Sequence, residues 1–232
     1  MTKKVKTPPE TCPHCEGTGY IIADDGARPC QCSREAELER ACRRARIPRK
    51  FLGKTLQAFK ATTTAKRQIV ALAGDYLRNF PRRESQPSER GLLLVGREGT
   101  GKTHIAVAIL RGVIEKGCSG LYWNVPELFL ELRRIINGEG ESTEADIFDE
   151  ARKADLLVLD DLGAEKTSEY VLDRLYVLIN GRYENDLATV ITTNRSIEEL
   201  RQQLGPRIVS RICEMCVPVE FPEGDYRLQN LR

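Results

Sequence analysis

The residues best equipped for chemistry lie at positions 96–103, Gly96-Arg97-Glu98-Gly99-Thr100-Gly101-Lys102-Thr103. They fit G-x-x-x-x-G-K-[ST], a loop that holds nucleotide phosphates. Its glycines let successive backbone amides turn inward and form a nest for anionic oxygens. Lys102 brings a mobile cation to the β- and γ-phosphates of ATP, and Thr103 offers a hydroxyl to Mg2+. A helix starting here aims its positive end at the same phosphates. Gly96, Gly99, Thr100, Gly101, Lys102 and Thr103 are therefore the candidate nucleotide contacts.

A second group follows the apolar run Leu156-Leu157-Val158-Leu159, which ends in Asp160-Asp161-Leu162-Gly163. A strand that finishes in two acids suits a phosphate site with a divalent cation. Asp160 is assigned to the Mg2+ water shell, and Asp161 to orienting or deprotonating the attacking water. A third run ends in Thr192-Thr193-Asn194-Arg195. Ligands gather at the C-terminal ends of parallel strands. If this strand lies between the other two, Asn194 emerges beside the γ-phosphate, where an amide can hold water. Its alternative role is to cap a helix starting near Ser196.

Cys12, Cys15, Cys30 and Cys32 form C-x2-C-x14-C-x-C, the pattern of a four-thiolate Zn2+ site. Glycines follow the first pair at Gly17 and Gly19, and Tyr20-Ile21-Ile22-Ala23 runs into the turn Asp24-Asp25-Gly26. This reads as a zinc ribbon, with one cysteine pair on each side of a hairpin. So short a segment buries too little apolar surface to fold alone, so the metal would supply the folding free energy. Disulfides are the alternative, and His14 is a possible substitute ligand. Cys42, Cys118, Cys213 and Cys216 are expected as small buried apolar residues.

Positioning these groups requires a particular set of elements. Candidate strands at residues 92–95, 120–124, 156–159, 188–192 and 217–221 alternate with helical patterns. That alternation predicts an α/β fold: a five-stranded parallel sheet flanked by helices. Pro218 places the last strand at an edge or a strand start, and Trp123 is expected in the core. A charged helix is expected from Ser33, its plausible cap, to about Arg46, ended by Pro48. Another is expected over residues 62–80. The divisions drawn are a zinc module with basic helix at 1–45, a connector at 46–61 and an ATPase domain at 62–232.

The chain has 232 residues, 41% of them hydrophobic, and a net charge of +2. Residues 1–60 carry 13 basic against 7 acidic side chains, and the remainder 23 against 27. A basic front suits an anionic partner or an acidic protein surface, or is an ordinary solvated face. No apolar run approaches the roughly 18 residues that span a membrane. The basic start is followed by no apolar segment, so a cytoplasmic protein without membrane attachment is expected.

Taken together, residues 96–103, Leu159-Asp160-Asp161-Leu162-Gly163 and Ile191-Thr192-Thr193-Asn194 resemble the AAA+ superfamily, and within it the DnaC/DnaI-type replicative helicase loaders and the related IstB-type transposition ATPases. The similarity covers about residues 46–232. It includes Arg46-Ile47-Pro48-Arg49-Lys50-Phe51, Thr55-Leu56-Gln57-Ala58-Phe59 and Gly205-Pro206-Arg207-Ile208-Val209-Ser210-Arg211-Ile212. The resemblance implies an ATPase that binds a hexameric replicative DNA helicase and delivers it to single-stranded DNA. It also implies self-association through the ATP site. Arg211 would be an arginine finger acting in trans, with Arg207 second choice, and Arg227 of Asp225-Tyr226-Arg227 would reach the nucleotide of its own chain. DNA contact is placed at Arg133 and Arg134. The chain departs from the pattern at Asp161, where many relatives have Glu, which implies slow hydrolysis. Only 11 residues follow the last strand, so the C-terminal lid is reduced or absent. The alternatives are an IstB-type partner of a transposase and a nucleotide-binding adaptor that does not hydrolyse. A GTPase would need an N-K-x-D motif, which is not present, and a small-molecule kinase would need an arginine-bearing lid.

Overall fold

The near-continuous burial of the central strands, covered on both faces, dictates a three-layer arrangement, seen in a computed structural model that describes residues 12–23, 26–81, 90–139, 142–165 and 167–222. The sheet contains β3 (Gly91–Val95), β4 (Gly120–Asn124), β5 (Leu156–Leu162), β6 (Ala188–Thr193) and β7 (Cys216–Glu220). All neighbours are parallel, in the order β4-β5-β6-β3-β7. The expected five-stranded parallel sheet is present, and Pro218 lies on an edge strand, where its missing amide costs no ladder bond.

Successive side chains of a strand point to opposite faces. Leu92, Leu94, Tyr122, Val158 and Val190 therefore join one core, with α1 (Gln31–Arg44), α2 (Thr64–Arg78) and α3 (Lys102–Glu115). Leu93, Trp123, Leu157, Leu159 and Ile191 join the other, under α4 (Val125–Ile136), α5 (Glu144–Lys153), α6 (Glu169–Glu184), α7 (Ile197–Leu204) and α8 (Pro206–Met215). α3 is buried almost all round because it lies between the sheet and the first two helices, which explains its unbroken run Ile105–Leu110. Trp123 is buried, as expected.

Arg182 anchors the start of β6. It is fully buried, and its guanidinium donates to the carbonyls of Ala151, Ala154 and Ala188 and to the Thr189 hydroxyl. Burial lowers its pKa to about 9, yet its donors close the C-terminal turn of α5 and fix β6 in one stroke.

At the front, β1 (Tyr20–Ala23) and β2 (Gly26–Pro29) pair antiparallel as the expected hairpin, while its turn residues 24–25 lie outside the described residues. Every residue of the two strands is exposed. The following helix starts earlier than expected. Its N-cap is Cys30, not Ser33, because the Cys30 carbonyl already accepts the amides of Ser33 and Arg34 at 3.0 and 3.1 Å. α1 then lies on α3, with Cys42, Ala45 and Ile47 in the shared core. Cys42 and Cys216 are buried as expected, but Cys118 is half-buried and Cys213 is exposed. α8 turns Ile208, Val209, Ile212 and Met215 inward, which leaves position 213 on its solvent side.

Candidate functional site

β3 delivers the glycine loop to the C-terminal edge of the sheet. Gly99 and Gly101 have φ of 73° and 102°, in the region that glycine alone enters without strain. Space is equally restrictive, since a Cβ at Gly101 would lie 2.6 Å from the Phe59 ring. Gly101 is the N-cap of α3, and no side chain caps that terminus. The Thr100 hydroxyl donates to the Arg97 carbonyl at 2.8 Å, and the Lys102 ammonium donates to the carbonyls of Gly96 and Arg97 at 2.6 and 2.8 Å. Both side chains are buried in the loop they belong to.

The sheet order meets the condition set for Asn194, because β6 lies between β3 and β5. Leu159 pairs with Ile191, which brings Asp160 beside Thr192. Asp160 is 2% exposed. Its Oδ1 accepts the Thr192 hydroxyl at 2.7 Å and the Thr103 hydroxyl at 2.9 Å, and its Oδ2 accepts the Tyr122 phenol at 2.7 Å. Thr103 and Asp160, the two residues assigned to Mg2+, are thus in contact, and a hydroxyl beside a carboxylate is a donor set that fits a hard cation. Burial, and then the Asp160 charge, push the Tyr122 hydroxyl well above the ordinary phenol range and keep it a donor.

Asp161 stands at a register shift. Leu159 pairs with Ile191 but Leu162 pairs with Thr193, so β5 carries one extra residue here. Asp161 adopts φ 60°, a left-handed conformation that Asp and Asn tolerate better than most residues. Regular alternation would send its side chain to the face opposite Asp160. The bulge instead leaves the carboxylate exposed, 3.4 Å from the Asn124 amide. Asn194 is also exposed, and its amide donates to the Glu98 carboxylate of the glycine loop at 2.5 Å. Glu98's own backbone amide, then Asn194, hold that carboxyl below its usual range. Ser196 caps α7 in a capping box with Glu199, so the capping role considered for Asn194 is taken by another residue.

Arg211 is not with this group. Its guanidinium stacks on the Tyr183 ring at 4.2 Å and lies 3.6 Å from Glu214. Tyr183 lies in the last turn of α6, just before β6 begins, at the end of the sheet opposite the glycine loop. Arg207 and Arg211 both line an open groove of about 450 Å³ with Tyr176, Pro206 and Ser210. Arg227 lies outside the described residues.

Two features escaped the sequence reading. The sequence places Tyr122 only on a strand, and the fold alone shows its hydroxyl on Asp160. Glu165 is 8% exposed, and its Oε2 accepts the Gly163 amide at 2.9 Å while Oε1 has no partner among the described residues. Gln203 of α7 donates to the carbonyls of Gly163 and Glu165, tying the loop after the acid pair to the helix that leads into α8.

At the front, the sulfurs of Cys12, Cys15, Cys30 and Cys32 all lie within 4.8 Å of one another, with Cys12–Cys30 at 3.9 Å and Cys15–Cys32 at 3.5 Å. A tetrahedron of thiolates at the usual zinc distance has edges of about 3.8 Å. All four are free thiols rather than disulfides. Burial works against the Cys15 thiolate, but the Gly19 amide and the Cys32 thiol outweigh it and hold Cys15 at about 7.

The profile of the IstB-like ATP binding protein family matches residues 33–232. The chain belongs to this family. The match begins one residue after Cys32, so the four cysteines precede it. Among relatives of this IstB-like protein, the replicative helicase loader DnaC of Escherichia coli (strain K12) is 29% identical over 117 residues, 50% of this chain and 47% of that one. The replicative helicase loader DnaI of Bacillus subtilis (strain 168) is 25% identical over 194 residues, 78% of this chain and 60% of that one. The chain thus spans about half to three-fifths of the length of these two relatives. A crystal structure of the DnaC helicase loader superposes with a TM-score of 0.66 and 28% identity, covering 75% of this chain and all of that one. The expected DnaC/DnaI-type AAA+ core is therefore present in this IstB-like chain.

Proposed function

We propose that this protein is an ATP-dependent loader that binds a hexameric replicative DNA helicase and delivers it to single-stranded DNA in the cytoplasm. One observation carries the reading: the glycine loop, Thr103 with Asp160, Asp161 and Asn194 converge at the ends of three adjacent strands in a chain related to the DnaC and DnaI loaders. The loop amides and Lys102 bind the triphosphate, and Thr103 and Asp160 would hold Mg2+, which neutralises phosphate charge when bound. Asp161 faces the water on the exposed side of its bulge and takes its proton. Asn194 holds that water, having exchanged its contact with Glu98 for the γ-phosphate.

Arg211 points away from its own chain's cradle, which suits a finger that acts on a neighbouring copy. ATP would thus favour assembly and hydrolysis would release it. Arg227 is proposed to contact the nucleotide of its own chain. Arg133 and Arg134, exposed on α4, supply backbone contacts to single-stranded DNA. The zinc module and α1 grip the helicase, and Tyr20, Ile21 and Ile22 present apolar surface for that contact. Native mass spectrometry of freshly purified protein is expected to find one zinc ion per chain, and its absence would rule out the metal centre.

The decisive experiment mixes the full chain with the replicative helicase of the same cell. In ATP the two are expected to elute together and to load the helicase onto single-stranded DNA, and no association with ATP or ADP overturns the proposal. The family description favours a second reading, an IstB-type ATPase that serves a transposase. That reading predicts co-purification with an integrase-like protein and binding to duplex DNA. A nucleotide-binding adaptor would bind ATP yet show no single-turnover hydrolysis.

A further inference from the structure

Asp160 sits at the centre of three hydroxyl groups that come from three different elements. Thr192 is its lateral neighbour on β6, and Thr103 stands above it at the start of α3. Tyr122 is the unexpected member. In the β4–β5 register Asn124, not Tyr122, is opposite Asp160, and Tyr122 pairs with Val158 two residues earlier on the same face. A diagonal neighbour in a sheet lies about 7–8 Å away, within the reach of an aromatic side chain but not of an aliphatic one. The Tyr122 ring spans that gap inside the core, and its hydroxyl ends 2.7 Å from Oδ2 in a buried setting.

A carboxylate has about four acceptor sites on two oxygens. Thr192 takes one on Oδ1 and Tyr122 takes one on Oδ2, so two strands fix the plane of the group from opposite sides. Thr103 bridges both oxygens, at 2.9 and 3.2 Å. The three donors are neutral, so they orient Asp160 without cancelling its charge, as a group that must attract a cation requires. Phenylalanine at position 122 would fill nearly the same core volume and leave Oδ2 buried without this donor.

We propose that Tyr122 is a positioning residue for magnesium: it sets the rotamer of Asp160 and thereby the affinity of the nucleotide site for the cation. The inference rests on the nucleotide reading given above, and the test separates the two. Binding of a fluorescent ATP analogue to the full chain is measured in EDTA and across a Mg2+ titration, for wild type, Tyr122→Phe, Asp160→Asn and the double variant. Tyr122→Phe is expected to bind the analogue in EDTA within about twofold of wild type and to need about tenfold more Mg2+ for half-maximal tightening. In the Asp160→Asn background, Tyr122→Phe is expected to add nothing further to the Mg2+ requirement.

An unchanged Mg2+ requirement in Tyr122→Phe overturns the proposal. So does an equal shift in both backgrounds, which is what general loosening of the core would produce. Thermal melting of each variant checks the fold independently. If wild type binds no ATP analogue at all, the nucleotide reading itself fails and this inference with it. Binding that responds to Mg2+ in wild type but not differently in the variants sinks the role of Tyr122 alone.

Discussion

Asp161 combines an unusual backbone with an exposed carboxylate, and the two are linked. Its left-handed φ comes from the one-residue bulge that turns the side chain away from the far face of the sheet. Asn tolerates this conformation as well as Asp does, so Asp161→Asn keeps the bulge and removes only the proposed base. Single-turnover ATP hydrolysis is expected to fall about 100-fold with nucleotide affinity nearly unchanged. An undiminished rate would remove Asp161 from the chemistry. Glu165 offers a second test. Burial raises its carboxyl pKa, so the folded chain holds this proton to higher pH than the unfolded chain does. Stability from this group is therefore lost as pH rises above the ordinary carboxylate value of about 4.3. Glu165→Gln cannot ionise, so the Tm of wild type minus that of the variant should become more negative between pH 4.5 and 7.5. A constant difference would show that position 165 contributes no titration.

Asn194 reaches the loop only because β6 runs between β3 and β5, and β6 is held at its start by Arg182. Arg182→Leu would strand three buried carbonyls and the Thr189 hydroxyl without their donor. The expected loss is about 3 kcal/mol, read as a fall in Tm of about 6–12 °C for a domain of this size. A smaller fall would mean that water replaces the guanidinium. α8 shows the same dependence of site on element. Its inward face is apolar, and that leaves Arg207, Arg211 and the exposed Cys213 on or near its outer side.

At the scale of the molecule, the glycine loop lies at the C-terminal ends of the strands and Arg211 toward their other end, on Tyr183. On the proposed reading, Arg211 completes the nucleotide site of another copy. Lys102→Ala removes the cradle cation but keeps the proposed finger, and Arg211→Ala does the reverse. Each is expected to be inactive alone, and a mixture is expected to recover part of the stimulated ATPase, because an intact cradle can then meet an intact finger. No recovery at any mixing ratio would place Arg211 outside the site. The four-cysteine module and the AAA+ core are joined through α1, which carries Cys32 at its start and Cys42 in the shared core. Among the described residues no helix is long and apolar enough to cross a membrane.

The sequence by itself determined the chemistry-bearing groups and their order along the chain. The glycine loop, the two acids at a strand end and the four thiols are local patterns, and local patterns survive in a one-dimensional record. It also foretold the parallel sheet, since alternating strands and helices permit little else. What only the tertiary structure decided was long-range. The strand order put Asn194 at the loop, and the β4–β5 register delivered Tyr122 to Asp160. The bulge turned Asp161, and the packing of α1 on α3 tied the front module to the core. These depend on which distant residues become neighbours, and a chain's spacing alone does not encode register, because a shift of one residue exchanges the two faces of a strand.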